Sequence, residues 1–269
     1  MFGRVREESG MTLTEVLVTL SIGMVVSLAA FGLVSTTMTQ SGEAAARIDA
    51  VQRGRSAMDI VTRQMRSQAC VKSNVGFAPD GLPRAIETGT PDSIVFYADM
   101  RDVSNKAVAP PAPPAGFIDG PERRSLTWEK QNAADPKTNW KLVERRWRPR
   151  ELVASAYKYM DPPTVREVLT DVDREKDKFG NDIPFFQYFA YDFALAVPQP
   201  TKRLPEPPNT ANPLSVPDAQ QVAKIRITYR AQPKQERSDN RASTVFGTEV
   251  FVRTVDPNAD QSELKTPCL

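Results

Sequence analysis

The sequence predicts an α+β fold, a long N-terminal helix whose first half spans a membrane and whose second half packs on an antiparallel β-sheet. Three observations predict it. Val16 to Val34 is an apolar run, and no charge follows until Glu43. Residues 35–69 carry no proline and show helical periodicity. From Val71 onward, β-branched and aromatic segments follow one another without a helical pattern between them, which implies antiparallel pairing. The 269 residues suit one domain or two small ones. A mean hydropathy of -0.42 excludes a multi-span membrane protein, and 40% hydrophobic residues exclude a wholly disordered chain.

Composition narrows the chemistry. The chain has no histidine, which removes Ser-His-Asp and Cys-His catalysis, histidine-ligated zinc or haem, and a histidine pH switch. Lys+Arg total 35 against Asp+Glu 33, so any basic surface is a local patch. Two cysteines are too few for a four-cysteine metal site. No GxSxG, no phosphate-cradling GxxxxGK and no singled-out carboxylate pair is present. The chain is not expected to be an enzyme and needs no cofactor, with calcium as the one candidate ligand.

The first element is VLVTLSIGMVVSLAAFGLV. As a helix at ~1.5 Å per residue it extends about 28 Å, close to the hydrocarbon thickness. Arg4 and Arg6 precede it, which puts the N-terminus in the cytoplasm and the rest of the chain outside. A cleaved secretory signal, cut near Ser27-Leu28-Ala29, is the alternative. The apolar run is longer than the ~7–15 residues of a signal core. Acids also sit where such a signal avoids them, at Glu7, Glu8 and Glu15. An unpaired carboxylate at the bilayer centre costs about 2.5–3.5 kcal/mol, so Glu15 calls for a partner.

Ser9-Gly10-Met11-Thr12-Leu13-Thr14-Glu15-Val16-Leu17-Val18 resembles the leader junction of type IV pilins and type II secretion pseudopilins. The resemblance implies a leader at 1–10, cleavage by a prepilin peptidase between Gly10 and Met11, and methylation of the Met11 amine. It makes 11–34 the transmembrane and assembly helix. Glu15 becomes the acid that pairs with a neighbouring subunit's N-terminal amine. Most of the family has phenylalanine where this chain has Met11. The implied partners are the peptidase, the membrane and other pilin or pseudopilin subunits. The implied location is the inner membrane, then a pilus, competence or type II secretion filament.

Residues 35–69 continue the helix as an amphipathic half. Ile48, Val51, Met58, Val61 and Met65 form the expected apolar stripe, and Arg47, Gln52, Arg55, Asp59 and Arg63 the polar face. Gly42 and Gly54 are candidate bends. Residues 70–269 form the outer, β-rich domain, with strands expected at 93–100, 125–131, 140–147, 185–195, 222–232 and 243–255. In the 222–232 segment, Ile225, Ile227 and Tyr229 alternate with Lys224, Arg226, Thr228 and Arg230, as in a strand with one wet face. The Pro-rich tracts 109–115 and 198–217 read as extended surface loops. The size of this domain and the order Phe185-Phe186-Gln187-Tyr188 resemble a minor subunit, such as the J-type of type II secretion.

Three side-chain sets remain. Cys70 ends the helix and Cys268 is the penultimate residue. A bridge between them would tie the tail to the helix end, a C-terminal disulfide being common in pilins; two free thiols are the alternative. Asp171, Asp173, Glu175, Asp177 and Asp182 alternate like a calcium loop, with Asp171, Asp173 and Asp177 as candidate ligands. Lys176 stands where such a loop needs glycine, so a solvated, charge-balanced loop is the competing reading. Finally, Arg123, Arg124, Trp128, Arg145, Arg146, Arg148 and Arg150 lie in a basic, tryptophan-containing stretch. On one exposed face these would attract phosphate and stack bases. That makes a filament-tip DNA-binding or surface-binding module the alternative function. Its competitor is a solvated sheet face with buried tryptophans.

Overall fold

The computed structural model describes residues 12–71, 84–99, 120–135, 138–153, 156–195, 199–204, 213–233 and 243–252. Helix α1 (Leu13–Arg66) is continuous through Gly42 and Gly54. Eleven strands and one short helix follow: β1 (Ile86–Gly89), β2 (Ser93–Ala98), β3 (Glu122–Lys130), β4 (Trp140–Trp147), β5 (Pro149–Val153), β6 (Ala156–Tyr159), β7 (Thr164–Asp173), β8 (Phe186–Asp192), β9 (Gln199–Leu204), α2 (Val216–Gln221), β10 (Lys224–Ala231) and β11 (Thr244–Phe251). Nine strands form one antiparallel sheet in the order β1-β2-β3-β4-β7-β10-β8-β9, with β11 on β10; β5 and β6 form a separate hairpin. The α+β architecture, with a long helix preceding an antiparallel sheet, is pilin-like.

All six expected strands are present. Strand β10 alternates on its apolar side as read, Ile225, Ile227 and Tyr229 being fully buried; on the other side Arg226 is exposed, Thr228 and Arg230 are half-buried and Lys224 is buried. It pairs along its whole length with β11, Lys224 opposite Phe251 through Ala231 opposite Thr244. Its other edge is shared by β8 and, at Arg230 and Ala231, by β7. Val61 and Met65 of α1 join Phe96, Leu126, Trp128, Leu142, Ile227 and Tyr229 in one core.

Three expectations are corrected. First, the docking face of α1 is Ala50, Gly54, Ala57, Val61, Gln64 and Met65, whereas Ile48 is 58% exposed. Val61 and Met65 of the expected stripe are buried and Met58 packs against the core, so only its outer end, at Ile48, departs; there the small residues Ala50, Gly54 and Ala57 let the helix approach the sheet. Second, the acidic segment does not begin as a loop, because Asp171 and Asp173 belong to β7. Third, the tract 198–217 is not all extended loop. It contains β9, an edge strand that tolerates Pro200, and the start of α2, capped by Ser215 with proline in its first turn. The tract 109–115 lies outside the described residues.

Candidate assembly site

The helix begins with a capping box. Thr12 is the N-cap, its hydroxyl accepting from the Glu15 backbone N–H at 3.4 Å, and Glu15 occupies the third helical position, where Thr-x-x-Glu places a carboxylate. An acid in this first turn also meets the positive end of the helix dipole. The hydroxyls along the span bond to the carbonyls one turn earlier, Ser21 to Leu17 at 2.9 Å, Thr36 to Gly32 at 2.9 Å and Thr37 to Leu33 at 2.8 Å. The apolar half therefore makes no outward demand for polar partners, as a helix in lipid must not.

That half is bare. From Leu13, 81% exposed, to Met38, 71% exposed, its large apolar side chains are exposed, and the first buried residue among those described is Ala50. The protruding length is about 55 Å at the α-helical rise. This is one helix long and apolar enough to cross a membrane. Monomeric soluble proteins do not expose apolar surface on this scale. Such a surface calls for burial, in lipid or against other helices, and it carries one carboxylate, Glu15, in its first turn. Gly10, Met11 and the leader lie outside the described residues.

The basic stretch is folded into ion pairs. Arg123 donates to both Glu87 oxygens at 2.7 and 2.8 Å and lies 4.4 Å from the Trp147 ring centre. Arg124 is buried between Glu122 and Glu144. Arg145 pairs with Glu129 at 2.6 Å, while Arg146 and Arg148 approach Glu122 at 3.7 and 3.8 Å. Arg150, at the start of the β5–β6 hairpin, is exposed. Trp128 is 2% exposed and stacks on Phe185 at 4.4 Å, so it cannot stack a base. Trp147 gives its indole N–H to Asp161 at 2.7 Å. The stretch is thus a two-signed ladder across β3, β4 and β7 with Trp128 inside, which is the arrangement of the competing sheet-face reading.

The acids of the 171–182 segment have separate partners. Asp171 accepts from Gln131 at 3.1 Å and lies 3.6 Å from Arg53. Asp173 caps the Arg174 N–H at 2.8 Å, and Glu175 holds Arg230 at 2.9 Å. Asp177 closes its own turn. The Asn181 backbone N–H, then its side-chain amide, then the Phe179 N–H hold that carboxyl below the usual range. Among the described residues, no three His, Cys, Asp or Glu side chains gather as metal ligands. Cys70 follows the helix end, beside Val71, which bridges to Arg84; no cysteine is free among the described residues. Cys268 lies outside them.

Sequence reading missed a polar centre below the last turns of α1. Glu144 takes the Gln64 amide at 2.8 Å, Arg124 at 2.7 Å and Arg166 at 2.8 Å. Its parts come from α1, β3, β4 and β7, and no local motif links them.

The family described as the prokaryotic N-terminal methylation motif matches residues 5–31. This supports the type IV pilin and pseudopilin family for the chain, and it spans the capping box and most of the exposed apolar run. No curated protein and no solved structure matched the chain.

Proposed function

We propose, from the prepilin-type methylation motif that this pilin- or pseudopilin-like chain carries at residues 5–31, that it is a minor pilin or pseudopilin. In this reading a prepilin peptidase cuts between Gly10 and Met11, the Met11 amine is methylated, and the chain enters a type IV pilus, competence or type II secretion filament from the inner membrane. It works by assembly, not catalysis. The observation that carries the reading is the bare apolar helix with a single acid, Glu15, in its first turn. In lipid or in a dry helix bundle, that carboxylate is satisfied only when a cation arrives at its height. A neighbour's new N-terminal amine is such a cation. The same reading joins Cys70 to Cys268. Its support is that the chain has two cysteines and that none is free among the described residues.

Co-expression with a prepilin peptidase tests the reading by intact mass under non-reducing conditions. The product is expected to begin at a methylated Met11 and to lack the two hydrogens of the thiols; Gly10→Val blocks the cut. Glu15→Leu is expected to insert into membranes at the wild-type level and to reach filaments at about a tenth of it or less, the scale of one charge pair lost from a dry site. A mature chain beginning elsewhere, or normal filament levels of Glu15→Leu, would overturn the proposal.

A further inference from the structure

Below the last turns of α1 lies a cavity of about 390 Å³, bounded by the helix on one side and β3, β4 and β7 on the other. That volume is in the range of small-ligand sites. Its floor is built and dry, because Gln64, Arg124 and Glu144 are each more than nine-tenths buried and bonded to one another. Its rim is wet, because Arg63 and Arg166 are exposed. Four guanidinium groups, on Arg63, Arg124, Arg146 and Arg166, face one carboxylate, on Glu144.

One of those cations is uncommitted, and a second, Arg146, is ion-paired with Glu122 but keeps a donor without a hydrogen bond. The Arg63 guanidinium has no hydrogen bond or ion pair among the described residues. Arg146 Nε is buried without a hydrogen-bond partner, its nearest carboxylate oxygen, on Glu122, being 3.7 Å away. A third polar atom is stranded with them: Gln64 Oε1, a buried acceptor with no donor. Orphaned buried donors and acceptors are uncommon, and each costs free energy until a partner arrives. Here a donor and an acceptor are orphaned at one cavity of net positive charge. A bare anion satisfies the donor and leaves the acceptor. An acidic residue within a peptide supplies both a carboxylate and a backbone N–H.

We infer that this cavity binds an acidic peptide segment of another polypeptide, with Arg63 and Arg146 taking its carboxylate and Gln64 Oε1 accepting an amide N–H. The arginine fork suits a planar carboxylate, and Glu144 already shows this cluster holding one. The chemistry of the occupant stands on the cavity alone. Only its source, a neighbouring filament subunit, rests on the function proposed above.

The test uses the full chain in detergent at low ionic strength, titrated with the blocked peptide acetyl-Gly-Asp-Glu-Asp-Gly-amide. Its Asn/Gln counterpart and citrate are the comparison ligands, and binding is read as a shift in melting temperature. The acidic peptide is expected to bind at least about tenfold tighter than either comparison ligand. Arg63→Gln and Arg146→Gln are expected each to weaken it about tenfold, and the exposed Arg63→Gln to do so while leaving the unliganded melting temperature unchanged. Equal binding by the variants, equal binding of the neutral peptide, or no binding at all overturns the site. Citrate binding as tightly as the peptide overturns the peptide assignment in favour of a free small carboxylate. Filament assembly is not part of the readout, so failure here leaves the filament proposal standing, and the reverse.

Discussion

At Gly54 the helix comes so near the sheet that the ring of Phe246 occupies the place of a side chain. A Cβ there would stand 2.6 Å from Cζ and 2.9 Å from Cδ2 of that ring. Tyr229 Oη donates to the Gly54 carbonyl at 2.7 Å and stacks on Phe246 with ring centres 5.5 Å apart. Two effects therefore compete in Gly54→Ala. Helix propensity favours alanine by about 1 kcal/mol, while overpacking against a held ring costs about 1–3 kcal/mol. We expect the clash to win, with a net loss of about 1–2 kcal/mol in chemical denaturation. In a Phe246→Ala background the sign should reverse, because only the propensity term remains. A stabilised Gly54→Ala in the wild-type background would show that the ring moves freely. From sequence alone Gly54 looked like a bend; its role depends on a residue far along the chain and could not be read locally.

Within α1, small residues (Ala50, Gly54, Ala57) dock beside Val61 and Met65, and the largest apolar ones do not all dock. Val61 is 1% exposed and belongs to the core, whereas Ile48 lies one turn too early and on the wrong azimuth. Val61→Ala should cost about 2 kcal/mol, from lost burial and an unfilled space. Ile48→Ala should change stability by less than about 0.5 kcal/mol, as surface substitutions do. Comparable losses from both would mean that Ile48 docks as well as Val61. The same contrast explains which elements were legible. Strands β2, β3, β4, β8, β10 and β11 announce themselves through β-branched and aromatic residues. Strand β7 does not, because Thr164 to Glu167 are exposed and hold their place by backbone pairing to β4. The N-terminal methylation motif was legible because its residues, 5–31, are contiguous. The Glu144 centre was not, because topology alone brings Gln64, Arg124 and Arg166 to it.

At the scale of the whole molecule, the helix divides into a half that holds the fold together and a half that does not. The buried residues of α1 begin at Ala50, and the helical members of the hydrophobic core begin at Ala57. Residues 13–38 contribute no buried side chain and about 39 Å of apolar rod. Among the described residues, removing everything up to residue 38 therefore deletes no buried side chain and leaves about three turns of helix before Ala50 to limit fraying. The shortened chain should fold without detergent and melt within about 2 °C of the full chain, since a loss of 1 kcal/mol moves a domain of this size by roughly 2–4 °C. The full chain, by contrast, should require detergent or membrane to stay monodisperse, because its exposed apolar surface has no partner within one subunit. Melting curves of both chains, with sedimentation in buffer alone, separate the outcomes. A shortened chain that unfolds would mean that the bare half stabilises the sheet through contacts it does not make here. A full chain that remains monomeric in buffer would remove the need for lipid or neighbouring helices, and with it the physical basis for assembly through this helix.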